Sequence, residues 1–381
     1  TELVGQWEKA VKDRGISVLL NTKAQRIIKN TANKVVGIEA VTAGQTLNLG
    51  ARRGVVFGTG GFAHNAELRR KFLGVPTNGS CAVKESEGDF ITMARVVGAD
   101  LEGPAHGWWA EIVLEEALAG PIANDVWAPP GDSMILVNRY GERVISEKLP
   151  YHVRTPIHFH WDPVRGEFPN LLLVMVYDQR TAEKFGASGT VSYPSLTPDT
   201  SYVISGNTLG ELSEALRKRL ASIARLPGAP SFQLAPEFTN SLQKTIQRFN
   251  QFAVDGVDQD FRRGEIPIEK DLYFHQGGAT TENQLPNPTM HPIADRGPFH
   301  AIILAAGMLD THGGPRINTR AQVLNSSGEP IPGLYGAGNC VTGPAGRAYW
   351  GAGATLGLAM TFGYIAAQNV SMEPQREIRR S

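Results

Sequence analysis

Three glycine-rich segments are the residues best suited to chemistry: Gly58-Thr-Gly-Gly61, Gly336-Ala-Gly-Asn339 and Gly351-Ala-Gly-Ala-Thr-Leu-Gly357. Each follows or opens an apolar run, the third leading into Leu358–Ala367. A helix starting in such a segment offers unpaired N–H groups and the positive end of its dipole. These suit an anion such as a pyrophosphate, or the electron-rich edge of a reduced flavin. Small residues also permit close packing of helix on sheet, and a single loop would carry no more than that. Three loops together form the pattern of a cofactor cradle, although none matches G-x-G-x-x-G and the chain holds no Rossmann fingerprint. Pattern alone gives a cofactor site of open identity.

Other chemistry-bearing residues weigh less. His158-Phe-His160-Trp161 would put two histidines on one face of a strand, as two metal ligands, but no third ligand is nearby and an ordinary strand face is the better reading. Asp310 and His312 flank Gly313-Gly314, where His312 would tune a bound ring or cap a turn. Trp108-Trp109 would line a pocket entrance or serve as paired core aromatics, and Arg347 would meet a ligand or the solvent. Cys81 and Cys340 are the only cysteines, far apart and without C-x-x-C spacing, so neither a disulfide framework nor a thiolate metal site is expected. No metal is expected, and a reducing, cytoplasmic setting fits.

The elements that must position these residues follow from periodicity. Residues 2–14 read as a helix with Leu3, Val4, Trp7 and Val11 at helical spacing, and Gly15 stops it. Ile16–Leu20, Gln25–Lys29, Lys34–Thr42 and Gly54–Gly58 read as strands, the last leading through Thr59-Gly60-Gly61 to a helix at Asn65–Phe72. Glu87–Ala99 reads as helical. Asn138–Glu147 reads as a hairpin-like turn between short strands, and Thr208–Ala224 and Ser241–Val254 as amphipathic helices whose stripes belong to a core. After Pro286–Pro298 the strand-rich texture returns. At 381 residues two cores are expected, with residues 1–103 and 301–381 forming one domain and 104–300 inserted into it. Lys plus Arg and Asp plus Glu each total 37, with no long run of one sign, which argues against nucleic acid and an anionic membrane surface as partners. The longest apolar stretches, Leu171–Tyr177 and Ala301–Leu309, are too short to span a bilayer. The natural partner is a small molecule.

The run IPGLYGAGNCVTGPAGRAYWGAGATLGLAMTFGYIAA closely resembles the closing segment of the 3-ketosteroid dehydrogenase branch of the fumarate reductase flavoprotein superfamily. ARRGVVFGTGGFAHN, EGDFITMARVVGA, NRYGERVISEKLPY and RFNQFAVDGVDQDFRRG resemble further landmarks of that family, so the likeness covers essentially the whole chain. It implies an α/β fold: a Rossmann-like FAD-binding domain of the glutathione reductase type, incomplete at its N-terminus, with an inserted α+β substrate cap. The family's ADP-binding βαβ unit and its glycine fingerprint do not match anything here, which implies a separate N-terminal polypeptide or subunit, a nicked product or a fragment. With FAD as cofactor, the resemblance puts Thr59, Gly60 and Gly61 against the diphosphate, Ala24 near the adenine, Gly338 and Asn339 by the ribityl chain, and Thr355, Leu356 and Gly357 by the isoalloxazine.

The superfamily's fumarate reductases need arginines at two places that here read Tyr151, in Ser146-Glu-Lys-Leu-Pro-Tyr151, and Tyr349, in Arg347-Ala-Tyr-Trp-Gly351. An arginine fork holds a carboxylate in two places, whereas a phenol can donate to a ketone or relay a proton. The resemblance therefore implies a neutral ketone, most simply a 3-ketosteroid oxidised in the Δ1 or Δ4-(5α) manner. Tyr349 and the Gly353 N–H would hold the carbonyl, Tyr151 would remove the neighbouring proton, and flavin N5 would take the hydride. Trp350 and Ala352, where prolines are frequent in the family, and the Asp310-Thr-His312 turn depart from the family's usual pattern; Trp350, with Trp108, would shape a pocket for a flat ring system. A free tyrosine titrates near 10, so Tyr151 needs a neighbour's help. Two alternatives stand beside this reading: a fumarate reductase-like reductase of an unsaturated acid, and a partner-dependent flavoprotein subunit without activity of its own. The electron acceptor is left open.

Overall fold

The computed structural model describes residues 2–101, 106–120, 122, 131–185, 201–273 and 283–376. Helix α1 (Glu2–Asp13) leads to an antiparallel meander of β1 (Thr22–Lys29), β2 (Val35–Thr42) and β3 (Gln45–Gly50), with Ile27 opposite Ile38. Ile16–Leu20, expected as a strand, is irregular instead, and Ile16, Val18, Leu19 and Leu20 are exposed. Apolar propensity holds a strand only when a neighbouring strand pairs with it, and among the described residues none does so here; the Ile16 N–H turns back to the Val11 carbonyl instead. β4 (Val55–Phe57) then runs into the first glycine turn and α2 (Ala66–Phe72), which Asn65 caps by accepting from the Leu68 N–H at 3.0 Å. Helix α3 (Asp89–Val96) follows and stacks Phe90 flat on Phe57.

The middle of the chain holds β5 (His106–Val113), α4 (Leu114–Ala119), β6 (Met134–Val137), α5 (Tyr151–Arg154), β7 (Leu172–Asp178), α6 (Gln179–Phe185), β8 (Ile204–Gly206), α7 (Leu209–Ile223), α8 (Phe238–Asp255) and α9 (Pro267–Tyr273). The first boundary expected from the sequence, at 103/104, lies outside the described residues. Leu212, Leu216, Leu220, Leu242, Ile246 and Phe249 are buried against Val174, Val176 and Ile303 of the sheet, so both helical stripes are core as their spacing implies. The other face of the same strands, with Leu173, Met175, Ile302 and Leu304, is covered too. Burial on both faces explains why these strands read as unbroken apolar runs without alternation.

β9 (Phe299–His312) organises the whole molecule. It is 14 residues long and antiparallel to β7 and β8 in its first half and to β5 in its second, giving the order β5-β9-β7-β6 with β8 also on β9. A single strand thus starts in the helix-covered core and ends, at Asp310, Thr311 and His312, beside the first glycine turn. The chain closes with β10 (Gln322–Leu324), β11 (Pro330–Gly336) and α10 (Ala354–Met372). β11 is parallel to β4, with Leu334 opposite Val55 and Gly336 opposite Phe57. Both glycine loops therefore leave the carboxyl ends of adjacent parallel strands, where ligands of open α/β sheets bind. Among the described residues no helix is long and apolar enough to cross a membrane.

Candidate functional site

The glycine loops after β4 and β11 and the start of α10 enclose a cleft of about 370 Å³, lined by Gly58, Gly60, Gly338, Asn339, Thr355 and Leu356 among others. Of the nine residues expected to hold a cofactor, Gly60, Gly338, Asn339, Thr355 and Leu356 line this cleft, although they come from distant parts of the sequence. Gly338 has φ +75, a conformation that favours glycine, and a Cβ there would stand 3.1 Å from Ala359. Thr59 lies beside the buried Cys340 thiol, and Ala24 is partly buried against the core that contains Phe57. Gly357 lies one turn inside α10, its N–H on the Gly353 carbonyl at 2.7 Å. Gly353 itself is the N-cap of α10. Free N–H groups at that helix start, backbone bared by glycine on two sides and a volume within the range of small-molecule pockets fit a flavin.

Gly61 stands behind the cleft wall, where a carboxylate fixes it. A Cβ at Gly61 would fall 2.4 Å from Asp310 Oδ1 and 2.3 Å from Thr311 Oγ1, so only glycine allows the approach. The Gly61 N–H donates to Asp310 Oδ2 at 3.0 Å, and the Phe62 N–H to Thr311 Oγ1 at 2.6 Å. Sequence reasoning placed Asp310 near the cofactor without seeing this clamp. Its only signal was an Asp-Thr pair shortly before Gly313-Gly314.

Tyr151 and Tyr349, 198 positions apart, are joined Oη to Oη at 2.9 Å. Tyr151 is the first residue of α5, after Pro150, and Tyr349 sits in the loop before α10. α5 is held by Arg154, whose buried guanidinium pairs with Glu111 of β5 at 2.5 Å and donates to the carbonyls of Glu147 and Leu149 at 3.2 and 2.6 Å. Burial pushes both phenols up. The contact raises Tyr151 further and offsets part of the rise at Tyr349; either hydroxyl can be the donor. Among the described residues, Tyr349 is the hydrogen-bond partner of the Tyr151 hydroxyl.

Trp108 is fully buried and supports Tyr349 from behind, with ring centroids 5.1 Å apart, while its Nε1–H donates to Asn339 Oδ1 at 3.1 Å. Trp350, next to Tyr349, is 63% exposed and presents an open face. The two histidines expected on a strand face are not on a strand. Pro156 starts a 3-10 turn over Thr155–Phe159, which buries His158 against Glu111 and the Leu171 carbonyl and leaves His160 exposed. Among the described residues no cluster of His, Cys, Asp and Glu could hold a metal ion.

His106 and His312 pair across β5 and β9 close to Trp108. Burial pushes each down to about 4, helped at His106 by the neighbouring His152. Both are therefore neutral in the fold, while unfolded histidine titrates near about 6.5. The unfolded state binds more protons between these values, so stability is complete above about pH 6.5 and declines as pH falls towards 4. Melting temperatures should drop across that window, and the double variant H106Q/H312Q should flatten the drop. An equal drop in the variant would assign the loss to other groups.

The described geometry agrees with what the chain is similar to. Residues 1–356 match the family model described as FAD binding domain. The chain is 32% identical over 389 residues to a 3-oxosteroid 1-dehydrogenase of Mycolicibacterium smegmatis, covering 97% of this chain and 62% of that one. It is 30% identical over 377 residues to a 4-oxocyclohexanecarboxylate 2-dehydrogenase of Sinomonas cyclohexanicum, with 97% and 60% covered. A 3-ketosteroid Δ1-dehydrogenase from Sterolibacterium denitrificans, solved in complex with 1,4-androstadiene-3,17-dione, superposes with a TM-score of 0.77 at 28% identity, over 95% of this chain and 61% of that one. The chain thus spans about three-fifths of the length of the relatives it matches. It belongs to the FAD binding domain family, within the fumarate reductase superfamily, and its cofactor is FAD.

Proposed function

We propose that this chain carries the substrate-facing part of an FAD-dependent dehydrogenase that removes two hydrogens next to a ring ketone, a 3-ketosteroid foremost. One observation carries the reading: Tyr151 and Tyr349, at the two positions where the superfamily's fumarate reductases need arginines, are bonded to each other through their hydroxyls. The relatives named for oxosteroid and oxocyclohexanecarboxylate dehydrogenation share a ring ketone, which supports that part of the substrate class.

In this reading the ketone oxygen accepts from Tyr349 and from the Gly353 N–H at the start of α10. These donors stabilise the negative charge that gathers on the oxygen when the neighbouring C–H ionises. Tyr151 receives that proton. The flavin, when bound, accepts the hydride from the adjacent carbon. Burial and the Tyr349 contact both oppose ionisation of Tyr151, so a donor or cation from outside the described residues is needed to lower it. Trp108 keeps the Tyr349 ring in place, and the exposed face of Trp350 offers a flat apolar surface to the steroid. The ADP half of FAD is held, in this proposal, by a βαβ unit outside this sequence that packs on the bare edge of β4 and on the exposed side chains Leu356, Met360 and Tyr364 of α10.

The test is anaerobic mixing of the FAD-loaded protein with 4-androstene-3,17-dione or its 5α-saturated analogue, and separately with 4-oxocyclohexanecarboxylate, while flavin absorbance is followed. Bleaching by a steroid supports the proposal, and bleaching by the small ring acid alone narrows the substrate to a monocyclic ketone. Flavin that stays oxidised with all three defeats it.

A further inference from the structure

Asp310 does more than hold a turn. Its carboxylate, only 8% exposed, lies at the end of β9 between the two glycine loops. Oδ2 accepts from the Gly61 N–H and from Asn339 Nδ2, both at 3.0 Å, and Oδ1 accepts from the Thr311 N–H at 2.8 Å. The other end of the Asn339 amide, Oδ1, accepts from Trp108 Nε1–H at 3.1 Å. Trp108 is fully buried and meets Tyr349, whose hydroxyl meets Tyr151.

The chemistry of these groups makes the chain directional. An ionised carboxylate only accepts and an indole N–H only donates, so Asn339 has one amide orientation that satisfies both neighbours. Turning it over would set its NH₂ against the indole N–H and its oxygen against the carboxylate. Burial pushes the Asp310 carboxyl up, while Asn339, Thr311 and Gly61 pull against that by donating to the ionised form. Asparagine at 310 keeps the shape but turns one acceptor into a donor. With the new NH₂ on the Oδ2 side, Asn339 loses its partner or flips and Trp108 loses its own; with the NH₂ on the Oδ1 side, the Thr311 N–H at the end of β9 loses its acceptor instead. In the first orientation the fault introduced at the flavin loops is passed on to the tryptophan behind Tyr349.

We infer that Asp310 is a positioning residue that couples the flavin-binding loops to Tyr349 through Asn339 and Trp108, so that filling the cradle sets the placement of the hydroxyl that holds the ketone. The inference rests on the dehydrogenase reading only for what Tyr349 does.

The test reads Trp108 directly. With tryptophan indoles labelled by nitrogen-15, Trp108→Phe assigns the Trp108 N–H resonance. In the wild-type protein, added FAD should shift that resonance. Asp310→Asn should shift it without FAD, speed its hydrogen exchange by at least about tenfold and abolish the response to FAD. The double variant D310N/N339D, which returns an acceptor-only group between an amide and the indole, should restore much of the response. Should D310N not fold, Asn339→Ala breaks the chain one step later, and the same loss of FAD response is expected with the Gly61 clamp intact. On the dehydrogenase reading, D310N would lower kcat by about 10–100-fold, with KM little changed, as for a misplaced catalytic group. An unmoved Trp108 resonance in D310N, or a wild-type resonance indifferent to FAD, overturns the coupling. Absence of ketone oxidation by the wild type would instead defeat the functional reading and leave the Trp108 result standing.

Discussion

Tyr349→Phe and Tyr151→Phe are each expected to lower kcat by about 10²–10⁴-fold, the range removed with a positioned acid or base. They should do so differently. Tyr349→Phe deletes a donor to the developing oxyanion, a contact that strengthens in the transition state, so kcat and kcat/KM should fall together. On the proposed mechanism Tyr151→Phe deletes the proton acceptor, and it also removes the contact that offsets part of the rise at Tyr349. The remaining Tyr349 hydroxyl should therefore titrate higher than in the wild type. The two phenols titrate as a coupled pair, and in the wild type the rate should rise with pH as the pair loses its first proton. A pH–rate profile for each variant, with stopped-flow flavin reduction as the readout, decides the roles. If Tyr349→Phe keeps full kcat and only weakens steroid binding, Tyr349 is a binding group and the oxyanion assignment fails. If both variants are unimpaired, the pair has no part in the reaction.

How much of this could be read in advance depended on the range of the interaction. The three glycine loops were legible because backbone approach needs glycine at fixed positions, and all three converge on one cleft. The helices over Thr208–Ala224 and Ser241–Val254 were legible from their apolar stripes, which are core. Tyr151 and Tyr349 were singled out only through resemblance, and their contact across 198 positions was not foreseen. Ile16–Leu20 misled because an apolar run carries no record of whether a neighbouring strand exists. His158 and His160 misled because Pro156, at the start of a 3-10 turn, overrides alternation. Asp310 was the least legible. A carboxylate that accepts from backbone N–H groups of a distant loop asks for a glycine there and otherwise leaves no mark on the sequence. β9 was seen only as the apolar stretch Ala301–Leu309, yet its last residues, just beyond that stretch, tie the helix-covered sheet to the cradle.

The second large effect concerns stability. Glu147→Gln is expected to cost about 3–5 kcal/mol, the usual price of breaking one member of a buried ion cluster. Glu147 is completely buried and accepts from Arg143 Nε and Nη2 at 2.7 and 2.8 Å, from Arg263 at 3.1 Å and from the Leu136 N–H at 3.2 Å. Arg143 also holds Asp258 at 2.8 Å, and both guanidinium groups lie over the Phe249 ring at 5.2 Å. Two cations thus face two carboxylates in a dry interior, and the neutral amide leaves one cation uncompensated. Burial alone would raise the Glu147 carboxyl, but Arg143 overcomes it and holds the group below the usual carboxylate range. A depressed acid contributes stability that is present above its unfolded value, near about 4.3, and is lost as pH falls through the folded one. The wild type should therefore lose this increment only in strong acid, and Glu147→Gln should lack it at every pH. Urea midpoints at pH 7 and pH 3 separate the two: the gap between wild type and variant should be wide at pH 7 and narrower at pH 3. A gap below about 1 kcal/mol at pH 7, the size of an ordinary exposed pair, would mean that the cluster sets the conformation of the loop without contributing net stability. Glu147 lies four residues before Tyr151, and its carbonyl accepts from the Arg154 guanidinium that anchors α5. Loss of the carboxylate should therefore reach the Tyr151–Tyr349 pair as well and, on the proposed mechanism, lower kcat in whatever protein remains folded.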